Sequence, residues 1–133
     1  MSKKNLWLLM MCIVFVGAGV IHFTNPGFYL RIMPWYLPAH LELIYISGIC
    51  EILLGIGILP LKTRKVSSLL IMVMLTLFLI IHVQMLIDTW QAGGVLFWIA
   101  VFRLPLQFVL IRWSWLVYKK YNKPFNFKKP VYL

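Results

Sequence analysis

The chain has 133 residues, of which 62% are hydrophobic and 12% charged, with a mean hydropathy of +0.90. A soluble domain is nearer half apolar and a quarter charged, so an ordinary water-soluble domain is excluded, and the length allows one domain. Thirteen Lys/Arg against three Asp/Glu give a net charge of +10, but these residues fall between long apolar runs, a pattern that excludes nucleic acid as partner and indicates membrane topology.

Four segments approach the roughly 20 residues needed to cross a hydrocarbon core. They are 6–22, 40–59, 66–87 and 95–118. Continuous Leu/Ile/Val/Met/Phe without a strand period predicts helices, which satisfy every backbone group internally in lipid. Lys3 and Lys4 ahead of the first segment resemble the start of a secretory leader. No small-x-small cleavage site follows Gly17-Ala18-Gly19, so the segment is read as a retained helix.

The connection 23–39 is the long one. Asn25 is placed to cap a short helix with Pro26 at its first position, while Pro34 and Pro38 redirect the chain. Tyr29, Trp35 and Tyr36 favour the headgroup layer. This predicts an interfacial helix between the first two spans. Connection 60–65 is short and basic, 88–94 lacks Lys and Arg, and 119–133 forms a basic tail, partly ordered at most. The expected fold is therefore all-α, a single membrane domain of four transmembrane helices plus one short interfacial helix.

With four spans, Lys3, Lys4, Lys62, Arg64, Lys65 and the tail lysines share one side, and only Arg31 lies in a connection on the other. The positive-inside rule then puts both termini in the cytoplasm. Cys12 and Cys50 each sit in an apolar run and form no Cys-x-x-Cys pair, so both read as buried thiols.

Ionisable residues at depth face the bundle interior by default. At about 1.5 Å per residue, Glu51 lies about 15 Å below the outer start of the second span, Arg103 about 12 Å below that of the fourth, and His82 about 9 Å below the outer end of the third. His22 closes the first. Ser47, Gly48, Glu51 and Gly55 share one helix face, and Arg103, Gln107 and Ser114 share another. Pro105 between them predicts a kink. A guanidinium cannot shed its charge, so Arg103 demands an acceptor, and Glu51 is the acid at matching depth. A buried Glu51–Arg103 pair follows, and breaking it by Arg103→Ala would cost about 3–5 kcal/mol. The cluster of Glu51, Arg103, Gln107, His82, His22 and Ser47 either fixes helix register or lines a pocket for a small polar-headed ligand. No tight ligand spacing supports a metal, and no nucleophile elbow, phosphate loop or redox dithiol indicates an enzyme. Residue spacing implies no cofactor.

Ala18-Gly19-Val20-Ile21-His22-Phe23 with Asn25-Pro26-Gly27-Phe28-Tyr29, Ile32-Met33-Pro34 with Leu37-Pro38, Ser47-Gly48-Ile49-Cys50-Glu51-Ile52-Leu53-Leu54-Gly55, Thr63-Arg64 and Arg103-Leu104-Pro105-Leu106-Gln107 occur in this order. In these pieces the chain resembles the DoxX-like family of small four-helix membrane proteins. One piece departs: Ile80-Ile81-His82 stands where many relatives have Pro-Ala-Asn. The resemblance implies a bacterial inner-membrane protein linked to quinone or thiol redox, as an accessory or ligand-binding subunit. Its relatives include the small subunit of a thiosulfate:quinone oxidoreductase. Quinone is the cofactor so implied, and the expected partners are the lipid bilayer, an oxidoreductase subunit and a second copy of the chain. The alternative is an intramembrane enzyme acting on a quinone-like or lipid substrate.

Overall fold

A computed structural model describes residues 2–122. Those residues form five helices: α1 (Lys3–Thr24), α2 (Pro26–Ile32), α3 (His40–Gly57), α4 (Leu61–Thr89) and α5 (Gly94–Tyr121). Four of them, all but α2, are long and apolar enough to cross a membrane. The protein is thus an all-α, multi-pass membrane bundle. The predicted basic tail beyond residue 122 lies outside the described residues.

Each span buries one stripe. On α1 it is Leu8, Met11, Cys12, Phe15, Gly19 and His22, a helical spacing of three and four. The remaining faces carry exposed Ile13, Leu53, Leu77 and Phe102, which lipid covers at no cost. Cys12 is buried as expected, but Cys50 is exposed, because it lies about 100° around α3 from Glu51.

α1 packs on α3 and α4 on α5, with α3 and α4 in lighter contact. The α1–α3 crossing is backbone-close. A Cβ on Gly48 would lie 2.8 Å from His22 Cβ, and one on Gly19 would lie 2.6 Å from the Gly48 carbonyl oxygen. The small residues therefore set how near the two helices come. Two apolar layers bound the bundle. Leu8, Met11, Phe15, Ile58, Ile71, Leu75 and Val117 pack at the end of the α3–α4 turn, while Ile32, Met85 and Ala100 pack beneath α2.

Helix limits differ from expectation at the α3–α4 turn. Residues 60–65, expected as a basic loop, are mostly the first turn of α4, which starts at Leu61 directly after Pro60. Helix C-termini leave carbonyls without intrahelical partners, and here side chains of the next helix supply donors. The Thr63 hydroxyl donates to the Gly57 carbonyl at 2.7 Å, Arg64 Nε donates to the Ile58 carbonyl at 2.8 Å, and Arg64 Nη2 donates to the Leu59 carbonyl. Arg64 is buried, with its guanidinium 4.7 Å from the centre of the Tyr121 ring. It is a structural cap rather than a free topogenic charge. The α4–α5 turn uses Gly93 and Gly94 at φ +62° and +78°, values a side chain would disfavour. α5 continues as helix through Pro105.

Asn25 is the N-cap of α2 with Pro26 following, but its side chain makes no capping bond. His40 Nε2–H donates to the Pro34 carbonyl at 3.0 Å, which closes the loop between α2 and α3.

Candidate functional site

Between the two apolar layers lies a cavity of about 120 Å³. One water needs roughly 10–15 Å³ on this measure. All six cluster residues line it: His22 from α1, Ser47 and Glu51 from α3, His82 from α4, and Arg103 and Gln107 from α5. α2 contributes Tyr29 and Ile32, followed by Met33, and covers one end.

The helices reach this space through the spacings that form their buried faces. Ile44, Ser47 and Glu51 are three and four apart on α3, while Leu75, Phe78 and His82 repeat that interval on α4. Glu51 is 5% and His82 7% exposed. Gln107 is held firmly, since its Nε2 donates to the Leu75 carbonyl at 2.5 Å. This bond ties α5 to α4 inside the cavity wall. The Ser47 hydroxyl donates to the Ile44 carbonyl at 2.8 Å.

The expected Glu51–Arg103 ion pair is absent. Among the described residues, the carboxylate's close basic neighbour is His22, with Nδ1 at 3.4 Å from Oε2. Both sit at the Gly19–Gly48 crossing, which brings α1 and α3 nearer to each other than either comes to α5. Arg103 faces Glu51 across the cavity. Its guanidinium carbon lies 6.0 Å from the centre of the Phe28 ring, and it is only half-buried. Removing it breaks no buried pair. Arg103→Ala is therefore expected to shift unfolding in detergent by clearly less than the about 3–5 kcal/mol of a broken buried pair. A loss of about 3–5 kcal/mol, as for a broken buried pair, would contradict this arrangement.

The His22–Glu51 contact does not satisfy the carboxylate. The His22 Nδ1–H is donated to the Ala18 carbonyl at 2.9 Å, and a ring nitrogen carries one hydrogen. Glu51 Oε2 is left buried without a hydrogen-bond partner, and so is His82 Nδ1. Native proteins leave few such atoms, and each one calls for an explanation.

Two contributors were not read as site residues from sequence. Tyr29, taken for a headgroup-layer aromatic, stacks on the His22 ring with centroids 4.0 Å apart at 19°. Burial pushes the Tyr29 phenol pKa up, while the Arg103 charge opposes the shift. Met33 also lines the cavity. Tyr29, Ile32 and Met33 fall at i, i+3 and i+4, and that spacing was the available signal that this segment buries a face. Gln84, four residues before Asp88, bonds to it at 2.7 Å and lies away from the cavity. No group of three or more His, Cys, Asp or Glu among the described residues is arranged to hold a metal.

Residues 11–118 match the family described as Domain of unknown function (DUF8561). The chain belongs to this DUF8561 family. The matched stretch runs from Met11 through Tyr118 and includes every cavity residue of all five helices. No curated protein and no solved structure matches this DUF8561 chain.

Proposed function

We propose that this DUF8561 protein is a ligand-binding membrane subunit that holds the polar head of a small amphiphile, a quinone or quinol, among Glu51, His82 and Arg103. The observation that carries this reading is the pair of buried, unpartnered polar atoms, Glu51 Oε2 and His82 Nδ1, in a cavity that also holds a guanidinium. An unpaired buried polar atom costs about 1–3 kcal/mol. A head that donates to the carboxylate and the imidazole, and accepts from Arg103, removes that cost on binding. Quinol hydroxyls donate and quinone carbonyls accept, and the His22–Tyr29 stack puts aromatic surface in the cavity wall. The sequence resemblance to the DoxX-like family, with its quinone- and thiol-linked members, supports the same ligand class and an accessory role beside an oxidoreductase. The gathering of Lys3, Lys62, Lys65, Lys119 and Lys120 at one end supports cytoplasmic termini with the cavity in the outer half, and the DoxX-like resemblance implies a bacterial inner-membrane setting.

The test is equilibrium binding of a short-chain benzoquinol to purified protein in nanodiscs. Glu51→Gln keeps the shape but exchanges a carboxyl group for an amide. It is expected to weaken binding about tenfold or more, equivalent to about 1.4 kcal/mol, with an unchanged melting curve. Equal binding by wild type and Glu51→Gln, or none by either, refutes the reading. An intramembrane enzyme is the second reading, favoured by the contact of a carboxylate with a histidine, a pair suited to moving protons. Turnover of the quinol by the purified chain alone would select it.

A further inference from the structure

The cavity is too small for a whole lipid, and its walls are not equally closed. A space of about 120 Å³ compares with the roughly 150 Å³ apolar cavity that holds one benzene. It holds at most one small ring. Any hydrocarbon chain on that head must leave through a wall.

Two walls are shut beside the cavity, and a third is tethered at one end. The α1–α3 wall is sealed by the backbone approach of Gly19 and Gly48. The α4–α5 wall is closed by continuous packing and the Gln107–Leu75 bond. The α3–α4 wall is tethered at one end by the capped turn after Gly57, and α3 and α4 pack on each other. The end beneath α2 is closed by Ile32, Met85 and Ala100.

The α1–α5 wall differs. The two helices meet near the α3–α4 turn end, where the Trp7 and Trp113 rings lie 5.0 Å apart and Leu8 and Met11 share a cluster with Val117. At the opposite end α2 bridges them. Between these closures the facing residues are Val14 and Ala18 on α1, and Arg103 and Leu110 on α5. All four line the cavity. Val14 sits about 100° around α1 from the buried Phe15 and is 40% exposed. It therefore borders the cavity and the outer surface at once. Ala18, Arg103 and Leu110 are half-buried.

We infer that the cavity opens sideways between α1 and α5 into the hydrocarbon, and that its ligand is a tailed lipid whose head turns in past Val14 and Ala18 while its chain remains among the acyl chains. This rests on the ligand class proposed above. The consequence is selectivity for the head and tolerance of chain length, because lipid replaces protein beyond the opening.

The test compares two probes, an unsubstituted 1,4-benzoquinol and the same ring with a decyl chain. In Ala18→Phe and Leu110→Trp, which narrow the opening from opposite sides, the decyl form is expected to lose affinity about tenfold. The tail-less form is expected to lose less affinity than the decyl form, since both variants also take space from the cavity that they line. A diazirine at the start of the decyl chain is expected to label Val14 or Leu110. Labelling of Ser47 or Ile81 instead would move the exit to the α3–α4 wall and overturn the inference, as would an equal change in affinity for both probes in both variants. A ligand-free readout separates this inference from the binding reading. With Cys12 and Cys50 replaced, a nitroxide at Ala18→Cys is expected to collide freely with oxygen dissolved in the bilayer, while one at Leu75→Cys is shielded. If neither quinol binds wild type but Ala18 is open to oxygen, the ligand class falls and the opening stands. Shielding at Ala18 overturns the opening whatever the quinols do.

Discussion

Replacing Gly19 by alanine is expected to destabilise the bundle by about 2–3 kcal/mol, the upper part of the range for overpacking. The added Cβ would lie 2.6 Å from the Gly48 carbonyl oxygen and 2.7 Å from Ile52 Cγ1. A flexible side-chain tip gives way cheaply, but a backbone oxygen on a neighbouring helix does not. α1 and α3 must move apart along their whole contact, and close packing is what holds membrane helices together. The same crossing sets the His22–Glu51 distance of 3.4 Å, so the cavity changes with it. Gly17→Ala is the matched control. It lies on the same helix, a Cβ there meets nothing within 4 Å, and alanine gains about 0.8–1 kcal/mol of helix propensity over glycine. Unfolding of both variants in detergent should move in opposite directions. A common shift would remove the claim that Gly19 acts through contact.

Arg64→Ala carries the other large effect, about 3 kcal/mol of destabilisation. Hydrogen bonds to charged groups contribute about 1.5–3 kcal/mol, and a buried carbonyl left unpaired costs about 1–3 kcal/mol. Arg64 serves two carbonyls, those of Ile58 and Leu59, and Ile58 is fully buried. It also covers the Tyr121 ring, so truncation removes packing as well as charge. Arg64→Lys should recover little, because an ammonium does not present the planar fork that reaches both oxygens. Lys62→Ala and Lys65→Ala, at exposed positions of the same turn, should leave the unfolding curve within about 0.5 kcal/mol of wild type. If all three variants behaved alike, Arg64 would be no more than one of several surface cations.

Tyr29 and Arg64 also mark where reading along the chain stops short. Tyr29 next to Trp35 and Tyr36 has the composition of an interfacial segment, and composition does not say which face of a seven-residue helix turns inward. Trp35 is indeed exposed, whereas Tyr29 stacks on His22. Arg64 among Lys62 and Lys65 looks like topological charge. Only the return of α4 beside the end of α3 puts its fork within reach of two carbonyls.

The polar cluster was visible in advance for a simple reason. An ionisable residue inside an apolar run is expensive anywhere except the bundle interior, so His22, Glu51, His82 and Arg103 could each be assigned inward from their own segments. Hydropathy and span length likewise required four membrane-long helices, and the Asn25-Pro26 step marked the start of the fifth, shorter one. Those inferences use only local solvation cost and helical period. Which side chain touches which is a different matter. Glu51 meets His22 instead of Arg103 because Gly19 and Gly48 draw α1 and α3 together to backbone contact, while Arg103 stays on the far wall near Phe28. Depth along each helix follows from counting residues, but lateral distance follows from how closely two surfaces pack, and packing exists only once the helices are assembled.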